Sequence, residues 1–243
     1  MKTIKKKKNK NPGIQSLLIA LTVIAIIAVA AANWLSSGIK TQKLPLLGEP
    51  EYKKVTTAQG TKTDTLYPVI PPFSFTDQHK ELVTNQTYIG HVYVADFFFT
   101  SCPTICPVMS RNLKKVYDEF TEANDVMFLS HTIDPGNDTP EVLNLYAEKL
   151  GADSKRWHFV TGIKEKIYQL AENGYYAHVK KDDSEEGGFV HSGLFTLIDR
   201  KGHMRGVYDG TSDEEVTKLI KDLNILLSEK NHSSIVSAKT KLK

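Results

Sequence analysis

The apolar positions of this 243-residue chain form one long run near the N-terminus and then shorter runs with strand or helix spacing. Nearly continuous apolar segments at residues 91–99 and 126–132 predict two strands that are buried on both faces. Helical spacing predicts a helix from Pro107 to Phe120, and Asp138 is a suitable N-cap for a helix that ends near Leu150. The same criteria predict the remaining elements, which are strands at 73–76, 157–160, 189–199 and 203–208 and helices at 163–172 and from 212 onward.

Strand, helix, strand, further helices, a hairpin and a closing helix is the element order of a thioredoxin-like α/β fold, with three α/β/α layers. We assign this domain to residues 66–230. Residues 36–65 lack a repeating apolar pattern and are predicted to be a linker, and residues 231–243 are predicted to be a flexible basic tail. In open sheets of this kind, functional sites lie at the carboxyl ends of the strands.

The N-terminus has the pattern of a membrane anchor. Residues 1–10 contain six lysines and no acid, and residues 14–32 contain only three polar side chains. Nineteen helical residues span roughly 28 Å, which is close to the hydrocarbon thickness of a bilayer. We therefore predict a basic cytoplasmic segment at 1–13 and a single transmembrane helix at 14–35. The rest of the chain is then expected on the periplasmic or extracytoplasmic side of a bacterial cytoplasmic membrane. The alternative is a cleaved signal peptide, because Ala28-Val29-Ala30 has the small-residue spacing of a cleavage site.

Net charge argues against one class of partner. The formal net charge of the chain is +3. The six N-terminal lysines contribute more positive charge than this, so the predicted exported part is mildly acidic. A mildly acidic domain has no electrostatic footprint for nucleic acid, and we expect no nucleic-acid partner.

The two cysteines, Cys102 and Cys106, are separated by only three residues. A bridge between them would close almost no loop, so reactivity explains the pair better than a structural disulfide. Pro103 and Pro107 favour a helix that begins at the pair, and the N-terminus of a helix is expected to lower thiol pKa values. If the two residues share one helical turn, both sulfurs are expected to reach one ion or to form a disulfide.

Two thiolates and one imidazole suit a soft ion such as Cu(I), and the same ligands can hold Cu(II). Zinc would usually need a fourth ligand or an open position with water. Among the eight histidines, His191 is the candidate third ligand because it follows Gly187-Gly188 and opens a predicted strand. In a thioredoxin-like fold this loop faces the helix N-terminus that carries the cysteines. A histidine that merely caps the strand is the alternative.

Three segments together resemble the Sco/SenC copper proteins, which help to assemble the copper site of respiratory cytochrome oxidase. They are FFFTSCPTICP, HTIDPGNDTPEVL and FVHSGLFTLIDRKG, in this order and at these spacings. The resemblance covers residues 67–228 and extends to the single N-terminal anchor.

The resemblance implies that Cys102, Cys106 and His191 are copper ligands in a metallochaperone. It also implies two protein partners, the copper-site subunit of cytochrome c oxidase and a thiol reductant that keeps the cysteines reduced. Asp134 and Asp138 lie in the family's acidic loop, where they would dock a partner or tune the site. For these two, turn and N-cap roles are the alternative.

Asp96 departs from the Sco/SenC pattern, which usually has an uncharged residue at this position. Thioredoxins carry a buried aspartate at the same offset, where it assists proton transfer at the second cysteine. The sequence therefore also predicts an exported thiol-disulfide oxidoreductase in which Cys102 and Cys106 exchange electrons and Asp96 is the proton-transfer base. An aspartate paired with a lysine is the structural alternative.

Overall fold

The computed structural model describes residues 12–37, 43–57, 60–181, 189–191 and 193–240. The chain divides into two units, residues 1–42 and 43–243. The first unit contains helix α1, Pro12–Ser37. Over the part of the chain that the structure describes, no helix combines the length and the apolar character needed to cross a membrane.

The second unit contains the remaining elements in the order of the chain. The described strands are β1 (Glu51–Thr57), β2 (Gly60–Leu66), β3 (Ser74–Asp77), β4 (Leu82–Thr84), β5 (Val92–Phe98), β6 (Val126–Thr132), β7 (Trp157–Thr161), β8 (Val179–Lys181), β9 (Phe189–His191), β10 (Leu194–Ile198) and β11 (Met204–Asp209). The described helices are α2 (Asn85–Tyr88), α3 (Cys106–Glu119), α4 (Pro140–Leu150), α5 (Lys164–Tyr175) and α6 (Asp213–Thr240).

A seven-stranded sheet forms the centre of this unit, in the order β11-β10-β5-β6-β7-β3-β4. Strands β5, β6 and β7 are parallel, and β10 runs antiparallel to β5 with Thr196 opposite Ala95. All residues of β5 and β6 are buried, as their continuous apolar runs predict. The carboxyl end of β5 therefore meets the amino end of β10 at one edge of the sheet.

Helices cover both faces of this sheet. Phe97 and Phe98 are consecutive in β5, so their side chains point to opposite faces. Phe97 contacts Tyr175 of α5 with ring centroids 5.5 Å apart, and Phe98 contacts Tyr146 of α4 with centroids 5.2 Å apart. This arrangement confirms the predicted mixed α/β fold with three layers.

The structure differs from the predicted elements in four places. The predicted linker contains a hairpin of β1 and β2, whose described side chains are exposed and so give no apolar pattern. The predicted strand 189–199 is divided between β9, which pairs with β8, and β10, which pairs with β5. Helix α6 continues to Thr240, into the predicted tail.

The fourth difference concerns the start of α4. Thr139 is the N-cap residue, and its side chain accepts a hydrogen bond from the backbone of Val142. The prediction that Asp138 is the N-cap is therefore wrong. Asp138 is fully buried and accepts hydrogen bonds from Thr100 and Thr132, so its oxygens are engaged away from the helix.

Candidate functional site

The cysteine pair lies at the carboxyl end of β5, where the fold predicts a functional site. Cys102 lies in the loop after the strand, and Cys106 is the first residue of α3. Ile105 is the N-cap of this helix and makes no side-chain capping hydrogen bond, while Pro107 lies in the first turn. The cysteines therefore lie at the helix N-terminus and just before it, as the two prolines predict. They do not share a helical turn, because the helix begins only at the second of them.

Both cysteines are present as thiols that are not joined in a disulfide, and both are buried, with exposed fractions of 7% for Cys102 and 1% for Cys106. The Sγ of Cys102 lies 3.6 Å from Oγ1 of Thr104. A hydrogen bond with Cys102 and burial raise the pKa of the Cys106 thiol well above its ordinary value. The expected lowering is therefore wrong for Cys106, because the neighbouring sulfur and the loss of water outweigh the helix N-terminus.

Asp96 lies in β5, six residues before Cys102, and is 3% exposed. Ser130 donates a hydrogen bond of 2.6 Å from Oγ to Oδ1 of Asp96, and the indole Nε1 of Trp157 donates to the same Oγ at 2.9 Å. The charge of Asp96 also contributes to raising the pKa of Cys106. The predicted burial of this carboxyl is thus confirmed, and the Ser130 hydroxyl that donates to it accepts in turn from the indole of Trp157.

The loop before Cys102 is fixed by Asp138. The backbone N–H of Thr100 donates to Oδ2 of Asp138 at 3.1 Å, and the hydroxyls of Thr100 and Thr132 donate to the same carboxylate. A fully buried carboxylate offers no surface to a partner, so Asp138 does not dock one. Its other predicted role, tuning of the site, stays a prediction. Asp134 is partly buried and accepts a hydrogen bond from Asn137 at 2.7 Å, and its docking role stays a prediction.

His191 is the last residue of β9, where it lies opposite Val179 of β8. Its side chain is outside the described part of the structure, so its direction stays a prediction. The chain that follows returns to the cysteine helix. Gly210 donates from its backbone N–H to the carbonyl of Gly193 at 2.6 Å and accepts from Asn112 of α3 at 2.9 Å.

Gly193 itself faces the segment between the two cysteines. A Cβ atom placed on Gly193 would lie 3.4 Å from Cδ1 of Ile105. The backbone two residues beyond His191 is therefore packed against the start of α3. Among the side chains that the structure describes, no group of three histidine, cysteine or acidic residues is arranged to hold a metal ion.

A groove of about 610 Å³ opens beside the cysteines and runs along α3 and α4. Its lining residues are Thr100, Cys102, Cys106, Pro107, Ser110, Arg111, Lys114, Lys115, Asp118, Tyr146, Lys149 and Leu150. Sequence analysis identified only the two cysteines among them as functional. The basic residues on α3 occur at positions 111, 114 and 115, a spacing that is also typical of a solvated helix face and so gave no signal.

Buried dithiols at the carboxyl end of a central strand, on a sheet with helices on both faces, define a thioredoxin-like dithiol protein. The SCO1/SenC family model matches residues 61–227, and the chain belongs to this family. It is 31% identical over 162 residues to the SCO1 protein homolog of Bacillus subtilis, covering 66% of this chain and 83% of that protein.

Solved structures agree with this assignment. A SCO1/SenC family lipoprotein from Bacillus anthracis matches with a TM-score of 0.61 and 33% identity over 65% of this chain and 95% of that one. BsSco, a member of the Sco family of cytochrome c oxidase assembly proteins in which a disulfide switch was identified, matches with a TM-score of 0.57 and 29% identity over 64% of this chain and 91% of that one.

Sco homologues have also been crystallised with copper bound. One is ScoI of Bradyrhizobium japonicum, which matches with a TM-score of 0.54 and 24% identity over 63% of this chain and 98% of that one. At this identity the likeness shows that the two proteins share a fold.

Proposed function

We propose that this protein is a copper metallochaperone that binds Cu(I) or Cu(II) through Cys102, Cys106 and His191. Its recipient is the copper-site subunit of cytochrome c oxidase. The observation that carries the proposal is the pair of buried thiols at the carboxyl end of β5, to which the chain following His191 returns. Membership of the SCO1/SenC family, the copper-bound Sco structures and the oxidase-assembly role of BsSco's family support the cargo and the recipient.

The chemistry of the donors fits copper. Thiolate sulfur is a soft ligand, and an imidazole completes a set that suits both oxidation states of the ion. The pKa of Cys106 is raised, so copper must displace a proton from this thiol when it binds. A thiol reductant is the second proposed partner, because only the reduced pair supplies thiolates.

A competition titration with a chromophoric Cu(I) chelator tests the ligand set. The reduced full-length protein in a nonionic detergent is compared with His191→Ala and with His79→Ala, which replaces an exposed histidine. Loss of a ligand is expected to weaken copper binding by roughly a hundredfold in His191→Ala, and binding in His79→Ala is expected to be unchanged. Equal affinities in the two variants would refute His191 as a ligand.

A second function, thiol-disulfide exchange, is favoured by the buried carboxyl of Asp96 beside Cys106. The Cys102 thiolate would attack a client disulfide, forming a mixed disulfide and releasing one client thiolate. Asp96 would accept the proton of Cys106, whose thiolate would then attack Cys102 Sγ and release the second client thiolate. Two electrons pass to the client, and Cys102 and Cys106 become a disulfide.

The variants Asp96→Asn and Ser130→Ala separate proton transfer from structural support, because Ser130→Ala removes the hydrogen bond but keeps the carboxyl. Reduction of a disulfide substrate is expected to slow by about a hundredfold in Asp96→Asn, with a pH profile displaced to higher pH. Ser130→Ala should keep most of the rate, and both variants should retain copper affinity. An unchanged rate and pH profile in Asp96→Asn would exclude the base role.

We also propose that residues 14–35 anchor the protein in a bacterial cytoplasmic membrane, with the second unit on the extracytoplasmic side. The support is the sequence, in which six lysines precede an uninterrupted apolar run. Labelling Cys102 and Cys106 in intact cells with a membrane-impermeant thiol reagent tests this orientation. Labelling only after cell lysis would contradict it, and release of a shortened soluble protein would favour the cleaved signal peptide.

A further inference from the structure

The groove beside the cysteines carries a charge opposite to that of the domain around it. Its lining includes four basic side chains and one acidic side chain, Asp118. The basic side chains are those of Arg111, Lys114, Lys115 and Lys149. The chain outside its lysine-rich N-terminus is mildly acidic. A local basic surface in an acidic domain concentrates positive potential beside the thiols that line the groove.

Two of the four basic side chains of the groove form ion pairs within the described part of the chain. Asp213, the partner of Lys115, also lies in the field of Arg111, which helps Lys115 to lower the pKa of this carboxyl. Lys114 contacts Asp118 at 2.6 Å and Lys115 contacts Asp213 at 2.8 Å. Arg111 and Lys149 are exposed and form no ion pair within the described part of the chain. Exposed ion pairs contribute little to stability, so the two paired lysines can exchange their carboxylates for those of a partner at small cost.

The floor of the groove is apolar and leads to the cysteines. Pro107 and Leu150 line it, and the ring of Tyr146 is fixed by a hydrogen bond of 2.6 Å between its hydroxyl and that of Ser110. Cys102, the more exposed of the two thiols, lines the same groove. An extended segment with acidic side chains and some apolar contact therefore fits this surface, and it would bring its own residues to Cys102.

We propose that this basic groove is the docking surface for an acidic segment of the client protein, next to the client residues that exchange copper or electrons with the cysteines. The inference rests on the proposed function, because it assigns the groove to the client of that same site. Charge complementarity is the argument for the occupant. It would raise the rate of encounter and orient the client before any transfer.

Fluorescence anisotropy with a labelled peptide tests the proposal on the full-length reduced protein in nonionic detergent. The probe is a short glutamate-rich peptide with serine where a client would carry cysteine, and a lysine-rich peptide is its counterpart. The variant Arg111→Glu with Lys149→Glu reverses the charges of the two basic side chains of the groove that form no ion pair within the described part of the chain. The control, Lys166→Glu with Lys201→Glu, changes net charge equally on exposed residues of α5 and of the turn between β10 and β11.

The groove variant is expected to bind the glutamate-rich peptide about tenfold more weakly than the wild type at low salt, and the control is expected to be unchanged. Hydrogen exchange should show protection by the peptide in α3 and α4 only. Equal loss in both variants, or no loss in either, would overturn the proposal. Tighter peptide binding after neutralising Asp182, Asp183, Glu185 and Glu186 would also overturn it, because the chain's own acidic segment would then be the occupant.

Copper affinity of the groove variant separates this inference from the proposed function. Arg111 and Lys149 are not proposed ligands, so the chelator titration should give the wild-type value. Weak peptide binding with normal copper affinity supports the docking surface. Normal peptide binding with normal copper affinity refutes the docking surface alone, while loss of copper binding in His191→Ala bears only on the ligand set.

Discussion

The cysteine half of the candidate site rests on the seven-stranded sheet, whereas the His191 half rests on the two-stranded sheet of β8 and β9. All residues of β5 and β6 are buried, while β8 and β9 have three residues each. An isolated two-stranded ribbon is marginally stable in water. The comparison teaches that the core holds the sulfurs in place directly. The backbone of His191, the proposed third ligand, is held less directly, by its pairing with Val179, which packs against the core, and by the contacts around Gly193 and Gly210.

The largest expected effect comes from removing both sulfurs. Cys102→Ser with Cys106→Ser should weaken Cu(I) binding by about a thousandfold, because hydroxyl oxygen is a poor ligand for a soft ion. The chelator titration measures this loss, and Ser101→Ala, an exposed neighbour, is the control. Retention of tight copper binding in the double variant would show that the metal binds elsewhere.

The stability of the seven-stranded sheet, on which the cysteine half rests, is also expected to depend on pH through His131 in β6. Its ring is fully buried and stacks on Phe97 at 4.7 Å, and burial lowers its pKa to about 4. An unfolded histidine titrates near 6.5, so between these values the unfolded chain binds more protons and stability falls as pH falls. The loss should reach about 3 kcal/mol at pH 4 and vanish above about pH 7.

Urea unfolding between pH 7 and pH 4 measures this slope. His131→Leu should remove most of it, whereas His79→Ala, at an exposed site, should leave it unchanged. The same slope in His131→Leu and in the wild type would assign the acid sensitivity to other groups, such as His158, whose pKa is also lowered by burial.

A smaller effect is expected at the loop that positions Cys102. Asp138→Asn replaces one acceptor oxygen by a donor that faces the hydrogen-bond donors of Thr100 and Thr132, at a cost of about 2 kcal/mol of unfolding free energy. Copper affinity should fall as well, because the loop carries Cys102, one of the proposed ligands. Asp134→Asn, on the exposed side of the same turn, is the control, and equal stabilities of the two variants would contradict this account.

The smallest effect on stability is expected at Gly193 and Gly210, whose backbone hydrogen bond lies between the cysteine half and the His191 half of the candidate site. A Cβ at Gly210 would lie 2.8 Å from the ring of Phe195 and 3.0 Å from the carbonyl of Gly193, so Gly210→Ala should cost about 1 kcal/mol. At Gly193 the nearest atom would be 3.4 Å away, so Gly193→Ala should change stability by less than about 0.5 kcal/mol. Thermal unfolding measures both, and the reverse order would contradict the packing described here.

The same difference between the halves explains how far the sequence alone could predict the structure. The bounds of β6 match the predicted segment 126–132 because a strand buried on both faces has a continuous apolar run. The division of residues 189–199 into β9 and β10 could not be predicted, because a change of pairing partner leaves no periodic signal. The hairpin of β1 and β2 was missed for a related reason, since its exposed strands show no alternation.

The residues of the candidate site also differ in how far the sequence alone could identify them. Cys102, Cys106 and Asp96 could be identified because spacing and an acid in an apolar run are local signals. The role of Asp138 depends on Thr100, thirty-eight residues away, and the raised pKa of Cys106 depends on burial next to a second sulfur. Such contacts exist only in the folded chain.

The central claim is that His191 joins the two sulfurs on one copper ion. X-ray absorption spectroscopy of the copper-loaded full-length protein counts sulfur and imidazole ligands directly. The account predicts two sulfurs and one imidazole in the wild type, and the same two sulfurs without the imidazole in His191→Ala. An imidazole contribution of equal size in both proteins would contradict it.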